Sequence, residues 1–250
     1  MNSGQRIRAN PAPADSVLPP VKAAARVGFL GVLMLDTRFP RPPGDIGHPD
    51  SFGVPVRHLV VRGAWPRTIV ASAQALRSGG MLSAFCEAAR ELERAGAHAI
   101  TTSCGFLVLL QRELQEAVRV PMVTSSLLQL PGLLERQQQV GVLTISQAHL
   151  GTEHLLAAGV PSGRLADVIV QGVDPAGEFA SAILGNRTDM NLQQAQADVV
   201  AAALALKARA PDLRTVVLEC TNMPPYAKSV HEATGWELRS LLDHFSTPIT

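Results

Sequence analysis

The chain has 250 residues, with 22 Lys and Arg against 21 Asp and Glu and a net charge of +1. Hydrophobic residues make up 46% of it and charged residues 17%, ample for one or two packed domains and far from the composition of a disordered chain. The balanced charge argues against a nucleic-acid binder, and the 4% of aromatic residues against a base-stacking platform. No apolar run reaches the ~18 residues that a membrane span needs, and three Cys are too few for a disulfide scaffold and fit a reducing, cytoplasmic compartment.

Residues 1–24 mix Pro, Ala and polar residues without apolar periodicity and read as a flexible N-terminal tail without the apolar core of a signal peptide. A first strand is predicted over 27–33, then a Pro- and Gly-rich loop over 36–55 and a second strand over 56–61. Helical periodicity runs over 68–94 with a break near Ser78-Gly79-Gly80, and Gly96 stops it. A buried strand over 97–102 leads into Ser103-Cys104-Gly105 and a helix over 106–118. Another strand over 121–125 and a helix over 126–137 close the first half.

The pattern then restarts, since QVGVLTI at 139–145 echoes RVGFLGVL at 26–33. A helix over 150–158, a strand over 166–173, helices over 176–184 and 192–208, and a strand over 213–219 follow, ending on Cys220-Thr221-Asn222. Cys104 lies 77 residues after Val27, and Cys220 lies 80 after Val140, which points to an internal duplication. The expectation is an α/β chain of two pseudo-symmetric lobes, 25–137 and 138–250, each a mostly parallel sheet flanked by helices, with the C-terminal segment free to pack back on the first lobe. Ligands of such folds bind beyond the C-terminal strand ends. Both Cys104 and Cys220 are predicted at that edge, one from each half, where two thiols can flank one cleft.

Each cysteine opens a turn whose free backbone N–H groups can depress a thiol pKa or hold a carboxylate. Gly105 allows close approach to the backbone, Thr221 and Asn222 can donate to a carboxylate, and Pro224-Pro225 stiffens the second loop. In the loop after the first strand, Asp45 can orient a thiol or accept from an ammonium, with Asp36, nearer the strand end, a competing candidate. Ser125, Ser126, Thr144 and Ser146 end strands and either touch a carboxylate or cap helices. Cys86 lies in the apolar pattern of a helix and reads as a core thiol. No Cys-x-x-Cys, His-Glu-x-x-His, Walker loop or GxGxxG occurs, so neither a metal nor a nucleotide cofactor is expected.

TTSCG around Cys104, ECTNMPPY around Cys220, the VGVLTIS start of the second half and the two-half layout resemble the aspartate/glutamate racemase superfamily, which includes hydantoin racemase, arylmalonate decarboxylase and maleate isomerase. That resemblance covers about residues 26–245. It implies an active site between two α/β lobes and a cofactor-independent mechanism on a small carboxylate substrate. Cys104 and Cys220 would be the acid/base pair, and Ser103, Gly105, Thr221 and Asn222 would hold the carboxylate. Amino-acid racemisation is the function it implies first, with maleate-isomerase-like cis–trans isomerisation and a non-catalytic small-acid binding module as alternatives. Relatives are commonly dimers, so a homodimer is expected. Two sequence departures bear on the substrate. Glutamate racemases carry Cys-Asn-Thr and Cys-Thr-His where this chain has Cys104-Gly105-Phe106 and Cys220-Thr221-Asn222. The presence of both cysteines argues against arylmalonate decarboxylase, which works with a single one.

Overall fold

A computed structural model describes residues 28–71, 76 and 80–245. The predicted tail over 1–24 and the Ser78-Gly79 part of the helix break lie outside the described residues. Two four-stranded sheets, all parallel, form the frame. The first has order β2-β1-β3-β4, built from β1 (Phe29–Met34), β2 (Val56–Val60), β3 (Ala97–Thr102) and β4 (Met122–Val123). The second repeats it as β6-β5-β7-β8, with β5 (Val140–Thr144), β6 (Val168–Gly172), β7 (Thr215–Leu218) and β8 (Glu237–Arg239). β3 and β7 thus hold the same place in their sheets, and the two cysteines follow topologically equivalent strands.

Central strands β1, β5 and β7 are buried nearly throughout, as continuous apolar runs in a covered parallel sheet must be. Helices α1 (Pro66–Ala71), α2 (Met81–Arg94), α3 (Gln111–Ala117) and α4 (Leu130–Leu134) accompany the first sheet. α5 (Thr152–Ala157), α6 (Glu178–Leu184), α7 (Leu192–Arg209) and α8 (Ala227–Thr234) accompany the second. In α2 the buried residues Phe85, Ala89 and Leu92 follow helical spacing, while Glu87, Arg90, Glu91 and Arg94 face solvent. Gly96, with φ 98°, takes the left-handed turn that lets β3 start directly after the helix.

Several predicted elements are corrected. The helix expected over 106–118 is a 3-10 stretch, Gly105–Leu110, followed by the short α3. The helix expected over 126–137 is likewise a 3-10 turn, Ser126–Gln129, then α4, and the strand expected over 121–125 shrinks to β4. β8 was not expected, because three partly exposed residues carry no apolar signature and are defined only by pairing with β7. At the C-terminus Leu241 packs with Leu30, Val32, Ile46 and Val123 of the first lobe, and Gln129 Nε2 donates to Ser240 O at 2.8 Å. Among the described residues no helix is long and apolar enough to cross a membrane.

Candidate active site

The C-terminal ends of β1, β3 and β7 converge on one cleft. Cys104 and Cys220 both line it, each almost fully buried (7% and 6% exposed). Thr221 Oγ1 donates to Ser103 O at 2.8 Å, so the two cysteine loops are tied directly across the lobe boundary. Ser103 Oγ accepts from Leu35 N at 2.9 Å, which fixes the first loop to the end of β1. The Thr221 hydroxyl, expected to meet a carboxylate, is engaged in this seam.

The thiols sit in unlike surroundings. Cys104 precedes the 3-10 stretch, and its carbonyl accepts from Leu107 N at 3.1 Å. The nearby backbone N–H groups of Phe106 and Leu107 favour the thiolate, but burial dominates, and with the nearby Glu219 it pushes the thiol up to about 12. Cys220 Sγ donates to Asn222 Oδ1 at 3.6 Å. Asn222 Nδ2 donates to Asp45 Oδ2 at 2.7 Å, and Arg41 Nη1 meets Asp45 Oδ1 at 2.6 Å. Arg41, Asp45 and Asn222 therefore form a relay that ends on the thiol and fixes the amide, oxygen toward sulfur. Burial, and secondarily the charge of Glu219, raise the Cys220 thiol well above its usual range.

The relay separates the two aspartate candidates. Asp45 is buried and reaches the site through Asn222. Asp36 does not line the cleft; its Oδ2 accepts from Gly63 N at 3.1 Å, and Arg62 lies 3.9 Å from its Oδ1. Ser125 is also outside the lining, where its Oγ caps the following 3-10 turn by accepting from Leu127 N at 3.2 Å. Ser126 donates to Leu218 O, and Ser146 pairs with His149 at the surface. Cys86 packs against the core away from the cleft, its thiol 4.0 Å from Glu113 O.

Three cleft residues that the sequence expectation did not single out are Arg41, Phe39 and Glu219, and Tyr226 is a buried neighbour outside the lining. Arg41 and Phe39 line the cleft, with the guanidinium 4.5 Å above the ring. Tyr226 is buried, its hydroxyl without a hydrogen-bond partner among the described residues, and burial pushes it up to about 12. Glu219 is 0% exposed and lines the cleft; burial raises its carboxyl to about 8 against the lowering effect of the Thr144 hydroxyl bonded to it. An ionisable residue at the end of the apolar string VVLEC is the signal that could have flagged it. The rest of the lining is mostly apolar and includes Leu35, Val70, Phe106, Ile145, Ile183 and Leu184. Among the described residues no cluster of three or more His, Cys, Asp and Glu could hold a metal ion.

No family model matches the chain. The fold is that of arylmalonate decarboxylase and of an aspartate racemase homologue. A mutant of arylmalonate decarboxylase aligns with a TM-score of 0.54 over 86% of this chain and 89% of its own, at 16% identity. An aspartate racemase homologue from Pyrococcus horikoshii OT3 aligns with a TM-score of 0.52 over 87% and 95%, also at 16% identity. In sequence the chain is 31% identical over 213 residues to a dimethylsulfoniopropionate lyase of Durusdinium sp. clade D, covering 82% of this chain and 69% of that protein. It is 29% identical over 233 residues to dimethylsulfoniopropionate lyase 3 of Emiliania huxleyi (strain CCMP1516), spanning 59% of that protein's length. The chain belongs to the family of the Durusdinium lyase. These relatives are enzymes, named as lyases rather than racemases.

Proposed function

We propose that this protein is a cofactor-independent lyase in which a cysteine thiolate removes the proton α to the carboxylate of a small acid, and that its substrate is a 3-sulfoniopropionate such as dimethylsulfoniopropionate. The observation that carries the proton-abstraction reading is the pair Cys104 and Cys220 on one cleft, each at the end of an equivalent strand. Kinship with the Durusdinium enzyme supports elimination as the outcome.

The chemistry balances without a cofactor. The thiolate takes a hydrogen from C2 as a proton, and the electron pair left behind is delocalised onto the carboxylate. That pair then forms the C2=C3 double bond as the C3–S bond breaks with its electrons retained by sulfur. Dimethyl sulfide and acrylate leave, and the proton passes from the thiol to solvent. Nothing is oxidised or reduced.

The lining supports a sulfonium over a primary ammonium. Asp45 is held by Arg41 and Asn222, and Glu219, raised to about 8, is neutral near pH 7. An ammonium would thus enter a pocket without a free carboxylate among its described lining residues. A sulfonium carries its charge on a methylated, weakly hydrated centre that apolar and aromatic walls accommodate. A cation beside the sulfurs also favours the thiolate, offsetting the burial that disfavours it.

Racemisation is the second reading, favoured by the presence of both thiols, since proton return on the opposite face needs a second acid. The two differ in their demands: elimination requires one thiolate, racemisation both sulfurs. Incubation with dimethylsulfoniopropionate, scored by dimethyl sulfide and acrylate release, tests the first, and deuterium exchange at Cα across a panel of amino acids tests the second. Release of both products supports the lyase; exchange with an amino acid and no release supports the racemase. Neither reaction in the wild type contradicts both.

A further inference from the structure

We propose that Glu219 is a catalytic residue of this cleft: held as the neutral acid, it donates its Oε1 proton to the carboxylate of the bound substrate and strengthens that bond as charge builds on the same oxygens during α-proton removal. This rests on the reading of the cleft as a site of α-proton abstraction.

The geometry assigns the proton to one oxygen. Thr144 Oγ1 donates to Glu219 Oε2 at 2.7 Å, and Ser146 N donates to Thr144 Oγ1 at 3.3 Å, which leaves the threonine's own proton for the carboxyl. Oε2 is therefore the acceptor, and the acid's hydrogen belongs on Oε1. Oε1 is fully buried and has no partner among the described residues. Buried polar atoms are nearly always paired, and an exception in a cleft points to a ligand.

Gly105 is shaped to this arrangement. A Cβ at that position would come within 2.3 Å of Glu219 Oε1 and 2.4 Å of Glu219 O. Only a glycine lets the acid lie against the backbone beside Cys104. The groups that face Glu219 or its neighbours are Cys104, Cys220, Asp45 and Tyr226, none of them cationic, and the cation among the cleft's described lining residues, Arg41, is paired with Asp45. Burial without a cation favours the neutral acid, and the carboxyl accordingly sits at about 8. With the Cys104 thiol and the Tyr226 phenol both pushed up to about 12 and Cys220 raised well above its usual range, Glu219 is the one of these four that changes charge between pH 7 and 9. A neutral carboxylic acid in an apolar site can serve as an oxyanion donor. Its bond to a carboxylate is charge-assisted, and Glu219 keeps its proton throughout the step.

Two variants and two readouts test this. In E219Q the Thr144 bond holds the amide oxygen, so that the NH₂ group takes the place of Oε1–H and donates at every pH. E219L removes the donor. Propionate binding measured by calorimetry from pH 6.5 to 9.5 is expected to weaken in the wild type as pH rises through about 8. E219Q is expected to bind less than tenfold more weakly at pH 7 and to lose that pH dependence, and E219L to bind roughly 10- to 100-fold more weakly. Turnover of dimethylsulfoniopropionate should follow the same pattern, with thermal melts confirming that each variant is folded. An E219Q profile that retains the wild-type fall near pH 8, E219L affinity equal to wild type, or no propionate binding by the wild type at any pH overturns the role of Glu219. Wild-type binding with the stated pH dependence but no product release and no α-exchange overturns the lyase and racemase readings while leaving Glu219 as a carboxylate-binding group.

Discussion

Asn222 Nδ2 donates to Asp45 Oδ2 at 2.7 Å, joining residues 177 positions apart and turning the amide oxygen toward Cys220 Sγ. The loop after β1 thereby controls a thiol at the end of β7. Asp45 also accepts from Gly47 N at 2.8 Å, so the loop is folded around its own carboxylate.

Removing Asp45 breaks this arrangement at its centre. D45A leaves Arg41, whose side chain is 13% exposed, without its counter-ion and frees the Asn222 amide to rotate. Breaking a buried pair from one side costs about 3–5 kcal/mol. Denaturant unfolding should register a loss of that order, and turnover should fall beyond what lost folded protein explains. D45N keeps the shape of the side chain but loses its charge toward Arg41, and is expected to fall between wild type and D45A in both measurements.

G105A tests the contact between the two loops. The added methyl would overlap Glu219 Oε1 and its backbone oxygen, at 2.3 and 2.4 Å, and the second of these cannot swing away. Overpacking of this kind costs roughly 1–3 kcal/mol. The melting temperature should drop, and activity should fall by more than tenfold in the protein that remains folded. Wild-type activity in G105A would mean that the loops have more freedom than these distances allow.

The pH dependence of stability has two limbs with opposite signs. Glu219 rises from an ordinary 4.5 to about 8 on folding, so between these values the native state binds more protons than the unfolded one. Its contribution is intact below about 4.5 and is lost as pH climbs through 8. His244, half-buried at the end of the 3-10 turn Leu241–His244, is lowered by desolvation from 6.5 to about 4. Its contribution is intact above 6.5 and is lost as pH falls through 4. Unfolding free energy measured against pH should decline at both ends, with E219Q flattening the alkaline limb and H244N the acid one.

Asn186 tethers the second lobe to the loop over the cleft. Its Oδ1 accepts from Arg38 N at 2.7 Å and its Nδ2 donates to Asp36 O at 3.0 Å, from a left-handed backbone with φ 50°. N186A loses both bonds and keeps an unfavourable backbone, while N186G relieves the backbone alone. Hydrogen exchange at 36–38 should accelerate in both variants, with the larger loss of stability, about 1–2 kcal/mol, in N186A.

Much of this architecture was legible because central parallel strands are largely apolar, and β1, β5 and β7 announce themselves as such runs. The equivalence of Cys104 and Cys220 was legible from spacing. What pairing alone defines was not: β4 has two residues and β8 three, and neither length nor composition marks them. The 3-10 form of Gly105–Leu110 was hidden because the apolar string Phe106–Leu110 carries no residue that marks a 3-10 turn off from an ordinary helix. Asp36 and Asp45 are indistinguishable in sequence, since only the relay through Asn222 separates them. Thr144 was legible as a strand-end hydroxyl, but its partner is the buried acid of Glu219.

Removal of the C2 proton of a small carboxylate by a thiolate of this cleft is tested by proton NMR in deuterated water, following dimethylsulfoniopropionate with wild type, C104A and C220A. Acrylate is expected to appear with the wild type, and its rate to fall at least a hundredfold in one of the two variants. Acrylate formation at the wild-type rate in both variants would contradict that mechanism.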